Sequence, residues 1–157
     1  VSMTEDKDQQ LRTWAFGDDA RSAAVELLIR SGLADETAPW VLHDRAWDTW
    51  AIDFDVLLAA VTAAATGATA AEVWTTTALD AHHSTADLTP SSLSVLRVAA
   101  ALSSGASLEL RTALIDLDHD AAELVLIAMA HAAGFTRVTV TDEPERAVRP
   151  PLAVWPE

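Results

Sequence analysis

The run Asp116-Leu117-Asp118-His119-Asp120 places three carboxylates and an imidazole within five residues. Oxygen donors at that density suit a hard cation such as Mg²⁺ or Ca²⁺, and a neutral imidazole can add a nitrogen. The spacing is not that of a calcium-binding loop, because its glycine and its later bidentate glutamate are missing. A complete site therefore needs at least one carboxylate from elsewhere, such as Asp80 or Asp142. The competing reading needs no ligand. Asp is favoured at a helix N-terminus by capping and by the helix dipole, and the other carboxylates are then solvated turn residues. A phosphate is not expected here, since it would meet carboxylates instead of free N–H groups.

Other titratable residues are weaker candidates. Asp53-Phe54-Asp55 has the form of a metal-binding acidic pair, but it opens a helix, where capping accounts for it. His82-His83, with Asp80 and Asp87 nearby, reads as an exposed loop pair, because adjacent histidines point apart. His131 falls on the apolar stripe of Leu124, Ile127 and Ala128, which predicts a buried neutral ring with one hydrogen bond. His43, beside Asp44 and Arg45, is expected in a turn. No Gly-x-Ser-x-Gly elbow, Ser-x-x-Lys or His-Glu-x-x-His is present. With five glycines in the chain, no contiguous phosphate cradle can be built. The chain has no cysteine, which removes disulfides, thiol catalysis and Cys-ligated zinc. No organic cofactor is expected, and Mg²⁺ or Ca²⁺ at Asp116, Asp118, His119 and Asp120 is the one cation expectation.

The aromatic composition points to a different chemistry. Six Trp occur with three Phe and no Tyr. Trp40, Trp47 and Trp50 cluster, and the last two are spaced for one helical face. Trp joins a large apolar area to one polar handle and is enriched at protein interfaces. The same side chains could instead fill a core around small alanine-rich helices.

The elements that must position these residues are marked by caps and periodicity. The first helix spans about 19–31, with a stripe of Ala20, Ala23, Ala24, Leu27 and Leu28 and a stop at Gly32. The second starts near Asp53, with Ile52 and Leu57 as a staple, and stops at Gly67. The third opens with the capping box Thr69-Ala70-Ala71-Glu72. The fourth opens with Thr89-Pro90, carries Val95, Val98, Ala99 and Leu102, and ends at Gly105. The fifth opens with Asp120-Ala121-Ala122-Glu123 and stops at Gly134; being apolar nearly all round, it is expected to be the most buried. Residues 107–115 alternate as a strand, although Leu110, Leu114 and Leu117 also match helical spacing, and residues 135–141 read as a second strand. Trp40-Val41-Leu42 and Thr49-Trp50-Ala51-Ile52 are expected to form a short hairpin. The predicted fold is mixed α and β and helix-dominated, with about five helices and a small C-terminal sheet containing a parallel βαβ pair.

Residues 1–13 read as a polar flexible arm, 14–142 as one globular domain and 143–157 as a proline-rich strap packed by Leu152, Val154 and Trp155. The opening Val1-Ser2-Met3 reads as an alternative start or an expression scar. Thr4 to Gln10 is strongly polar and no apolar run spans a bilayer, so neither a leader nor a membrane partner is expected and the cytoplasm is the default compartment. Net charge is −14. Direct nucleic-acid binding needs a basic face, and the arginines here are scattered.

Residues 88–142 resemble the distal half of an ABC-type ATPase domain. Leu88 to Ser92 takes the place of the signature loop, Leu108 to Ala113 that of the Walker B strand, Leu114 to Asp118 that of the D-loop, and Val138 to Asp142 that of the strand ending in the switch histidine. The signature glycines, the Asp-Glu pair, the histidine and the phosphate loop are absent, so the resemblance implies a non-hydrolysing remnant. Thirty-two alanines and a single lysine, Lys7, also resemble the composition of small uncharacterised proteins of high-GC bacteria. The function expected is a protein-interaction or oligomerising domain using Trp40, Trp47 and Trp50, as a homodimer or with a basic partner. The alternatives are a cation-binding domain or metal-dependent enzyme at the Asp116–Asp120 cluster, and an acidic inhibitor of a DNA-binding protein.

Overall fold

The computed structural model describes residues 3–65, 88–135 and 151–157. Six helices lie among them: α1 (Met3–Ala15), α2 (Asp19–Arg30), α3 (Phe54–Ala65), α4 (Pro90–Ser104), α5 (Leu110–Ile115) and α6 (His119–Ala132). Strands β1 (Val41–Asp44) and β2 (Thr49–Ile52) form an antiparallel hairpin between α2 and α3. Among the described residues no helix is long and apolar enough to cross a membrane.

Helix α2 is the centre. It packs on α4 and α6, which also meet each other, and on α1; α3 and α5 lie against α4. The buried face of α2 is Ala23, Ala24, Val25, Leu27 and Leu28. It meets Val95, Leu96, Val98, Ala99 and Ala100 of α4 and Val125 and Ala128 of α6 in one core. The alanines leave shallow ridges, so the helices can approach closely and the larger side chains fill what remains.

The starts of α2, α3 and α4 each have a local cause. Asp18 accepts the Arg21 N–H at 2.9 Å, and Asp53 accepts those of Asp55 and Val56 at 3.0 Å. Thr89 accepts the Ser92 N–H at 3.1 Å, with Pro90 at the first helical position. These bonds satisfy donors that have no partner within the helix. Helix α4 ends at Gly105, whose φ of 68° is a left-handed cap that a β-carbon would strain.

The hairpin pairs Val41 with Ile52, Leu42 with Ala51, His43 with Trp50 and Asp44 with Thr49. Val41 and Ile52 join the core. The loop is held by the Asp44 carboxylate, which accepts the Ala46 N–H at 2.9 Å, and by Asp48 at φ 48°.

Three expectations are revised. The parallel βαβ pair is not formed, because its first strand, expected over 107–115, is helix α5 from Leu110 onward. That run satisfies both periods, and the good helix formers Leu, Arg and Ala, with Ala113 buried, decide for the helix. The expected second strand lies outside the described residues, apart from Phe135, which sits in a turn. The fold is therefore helix-dominated with one two-stranded antiparallel sheet among the described residues. The fifth expected helix, α6, is not the most buried: Leu126 is 64% exposed and Met129 is also open to solvent. Residues 1–13, read as a polar arm, contain most of α1, whose Leu11 and Ala15 are buried. Its inner stripe is Lys7, Leu11 and Ala15, at helical spacing. The Lys7 stem is buried while its Nζ donates to the Ala34 carbonyl and pairs with Asp8 at 3.2 Å. The capping box at Thr69 lies outside the described residues.

Glu26 ties α1 to α2. Its carboxylate accepts Arg12 Nε at 2.7 Å and Arg30 Nε at 2.6 Å, with a side chain only 13% exposed. Burial pushes the Glu26 carboxyl up, but the two arginine hydrogen bonds and their charges outweigh it and hold the group below the usual glutamate range. A carboxyl so lowered contributes stability that is complete above the ordinary glutamate range and is lost as pH falls through its folded value. Glu26→Gln should therefore lower stability at neutral pH by about 1–2 kcal/mol. The gap to the wild type should close in acid, as read by urea unfolding at a series of pH values.

Candidate functional site

The Asp116–Asp120 run is the joint between α5 and α6. Asp116 ends α5, Asp118 caps α6, and His119 and Asp120 are the first helical residues. The Asp118 carboxylate accepts the Ala121 N–H at 2.9 Å, while its own N–H donates to Ser91 Oγ at 3.2 Å. His119 Nδ1 and Asp120 Oδ1 are 3.5 Å apart, and all four polar side chains are exposed. Among the described residues no three His, Asp or Glu groups converge on one point. Asp80 and Asp142, named above as partners for a cation, lie outside the described residues, as do His82, His83 and Asp87. The Ala121 N–H, then Ser91, hold the Asp118 carboxyl below its usual value. Its contribution to stability is thus present at neutral pH and fades as pH falls.

This joint borders a cleft of about 300 Å³, where the C-terminal end of α2 meets the N-terminal ends of α4 and α6. Arg30 and Ser31 stand on one side, Ser91 and Ser92 on another, and Asp118 and Asp120 across from them, with Val95 and Leu124 as apolar lining. The cleft thus offers a guanidinium, hydroxyls and carboxylates to a small polar molecule. Arg30 is already engaged: its guanidinium binds Glu26, donates to the Pro156 carbonyl and lies 5.4 Å from the Trp155 ring centroid. Arg30 and Ser91 carry no local sequence signal, because they meet the cluster only through helix packing. A second cleft of about 280 Å³ lies between α3 and α4, lined by Leu58, Val61, Thr62, Arg97 and Ala100 among others.

The three clustered tryptophans are separated by the fold. Trp40 is 3% exposed, sits in the core and donates its Nε1–H to the Leu33 carbonyl at 2.8 Å. Trp50 is half-buried and stacks on His43, with ring centroids 4.1 Å apart and planes 6° from parallel. Trp47 is 80% exposed in the hairpin loop. His43 Nε2 also lies 2.9 Å from Asp48 Oδ1, which ties the loop to the strand. Further exposed apolar side chains are Phe16 after α1, Leu110, Leu114 and Ile115 on α5, and Leu126 and Met129 on α6.

No protein family matches the chain, and neither a curated protein sequence nor a solved structure gives a significant match. The segment Leu108 to Ala113, placed above at the Walker B position, is two residues of irregular chain followed by the first four residues of α5, not a strand.

The placements give two tests. Trp40→Ala should cost about 3–5 kcal/mol of stability, whereas Trp47→Ala should stay within about 0.5 kcal/mol of the wild type in urea unfolding. Asp118→Ala should lower the melting temperature at neutral pH and Asp118→Asn should retain most of it, because asparagine still caps.

Proposed function

We propose that the chain is a protein-interaction domain that engages its partner through the β1–β2 hairpin, with Trp47 as the anchor. One observation carries this reading: the largest side chain in the loop is 80% exposed on a locally fixed backbone. Trp is the side chain most often found at the energetic centre of an interface. The Asp44–Ala46 bond, the Asp48 turn and the His43–Trp50 stack hold the loop before any partner arrives, which lowers the ordering cost of binding.

The charge selects the kind of partner. Asp44 and Asp48 flank the loop with only Arg45 between them to oppose, and the whole chain carries −14. Two such loops would repel each other, and so would the loop and a phosphate backbone. The matching surface is a protein with an apolar pocket for the indole and lysines or arginines at its rim.

A photo-crosslinking phenylalanine analogue in place of Trp47, in the full chain expressed in its own host, tests this. The same analogue at the exposed Thr62 of α3 is the control. A discrete adduct with a basic protein is expected from position 47 and not from position 62. Purified wild-type chain should compete for it, and Trp47→Ala chain should compete about tenfold less well or worse. Absence of an adduct, the same adducts from both positions, or an adduct made of two copies of this chain would each overturn the proposal.

A further inference from the structure

Residues 151–157 lie against the C-terminal ends of α2 and α6. Leu152 and Val154 point to solvent, so the half-buried Trp155 is the main apolar hold of this segment among the described residues. Its Nε1–H donates to His131 Nδ1 at 3.1 Å, with the rings 5.0 Å apart and tilted by 49°. The Arg30 guanidinium covers the indole at 5.4 Å, and Arg30 Nη1 donates to the Pro156 carbonyl. Leu152 N–H donates to the Phe135 carbonyl at 3.0 Å.

An indole N–H can only donate. His131 Nδ1 must therefore present its lone pair, and the proton of the neutral ring sits on Nε2. That nitrogen is buried and has no hydrogen-bond partner among the described residues. A second proton can go only to Nδ1, where it would set N–H against N–H and place a cation beside the Arg30–Trp155 stack. Among the described residues no carboxylate forms an ion pair with His131. Helix α2 offers Arg30, already bound to Glu26, and Asp19 near Gly134. Helix α4 has Arg97, which lines the cleft toward α3. The segment itself carries Glu157, and His131's own helix carries Asp120 and Glu123 toward its other end.

We infer that the C-terminal segment is an acid-released latch: protonation of His131 breaks its bond to Trp155, undocks residues 151–157 and so releases Arg30, which lines the α2–α4–α6 cleft, from its contacts with Trp155 and Pro156. The docked state is complete where the imidazole is neutral and is lost as pH falls.

The test uses the full chain labelled with ¹⁵N. The indole N–H peak of Trp155 is assigned by its loss in Trp155→Phe, and the core Trp40 peak serves as an internal reference. Between about pH 8 and about pH 5 the Trp155 peak should move to the position of a solvated indole while the Trp40 peak stays. In His131→Asn, whose Oδ1 accepts at every pH, the Trp155 peak should stay as well. If His131→Asn does not fold, the backbone amide of Val154 gives a second reading: its pH dependence should be present in the wild type and absent in Trp155→Phe. A stationary Trp155 peak in the wild type overturns the latch. So does the same titration in His131→Asn, an undiminished Val154 titration in Trp155→Phe, or Trp155 and Trp40 moving together at one midpoint.

Discussion

The packing of α2 between α4 and α6 is the constraint on which the rest depends. Its buried face sets two alanines, Ala23 and Ala24, beside Val25, Leu27 and Leu28. A helix of this kind cannot bury enough apolar area against one neighbour, so it needs both. Close approach then forces the ends of the three helices together. Arg30 at the end of α2, Ser91 at the start of α4 and Asp118 at the start of α6 become neighbours because the helices cross, and the bond from the Asp118 N–H to Ser91 Oγ then joins two of them. The cleft is a consequence of that crossing.

Glu26 extends the same logic to the periphery. It lies on the edge of α2 that the apolar core does not use, and its two oxygens are shared between Arg12 and Arg30. Arg12 belongs to α1, and Arg30 in turn holds the backbone at Pro156 and the face of Trp155. One carboxylate thus connects the N-terminal helix, the central helix and the C-terminal segment. The Arg12 bond is formed with a partner from a distant part of the sequence and raises the guanidinium above its usual value, chiefly through the Glu26 hydrogen bond. Such a joint adds to stability while all three groups are charged, and it makes the seating of both chain ends sensitive to the same carboxyl.

What could be read from the sequence was what local chemistry decides. Thr89-Pro90 and Gly105 bound α4 as their cap preferences require, Asp53 opens α3, and the hairpin appears at Val41–Asp44 and Thr49–Ile52. Two features were hidden by ambiguity of period or of polarity. Residues 107–115 fit a strand and a helix equally well over so short a span, and burial of Ala113 is a tertiary fact. Helix α1 shows one leucine and one alanine on its inner face, because the third member of the stripe is the aliphatic stem of Lys7. The candidate site divides in the same way. The acidic run was visible, but its role at a helix start and its proximity to Arg30 and Ser91 are set by packing. The tryptophan cluster was visible too, and only the hairpin register separates a core Trp40 from an exposed Trp47.

The acidity of the chain has a structural share that bears on how a partner would see it. Asp18, Asp53 and Asp118 cap helices, and Asp35 and Asp44 accept backbone N–H groups in turns. A chain with five glycines and six prolines uses aspartate for much of its punctuation. Capping satisfies backbone donors without removing the charge, so every such joint also leaves a carboxylate at the surface. Part of the negative charge among the described residues therefore sits at turns and helix starts. Trp47 stands in one of those turns, between Asp44 and Asp48, so the needs of the backbone in that loop place an apolar anchor and its acidic rim together. On the proposed reading, specificity for a basic partner follows from the same residues that hold the loop in shape.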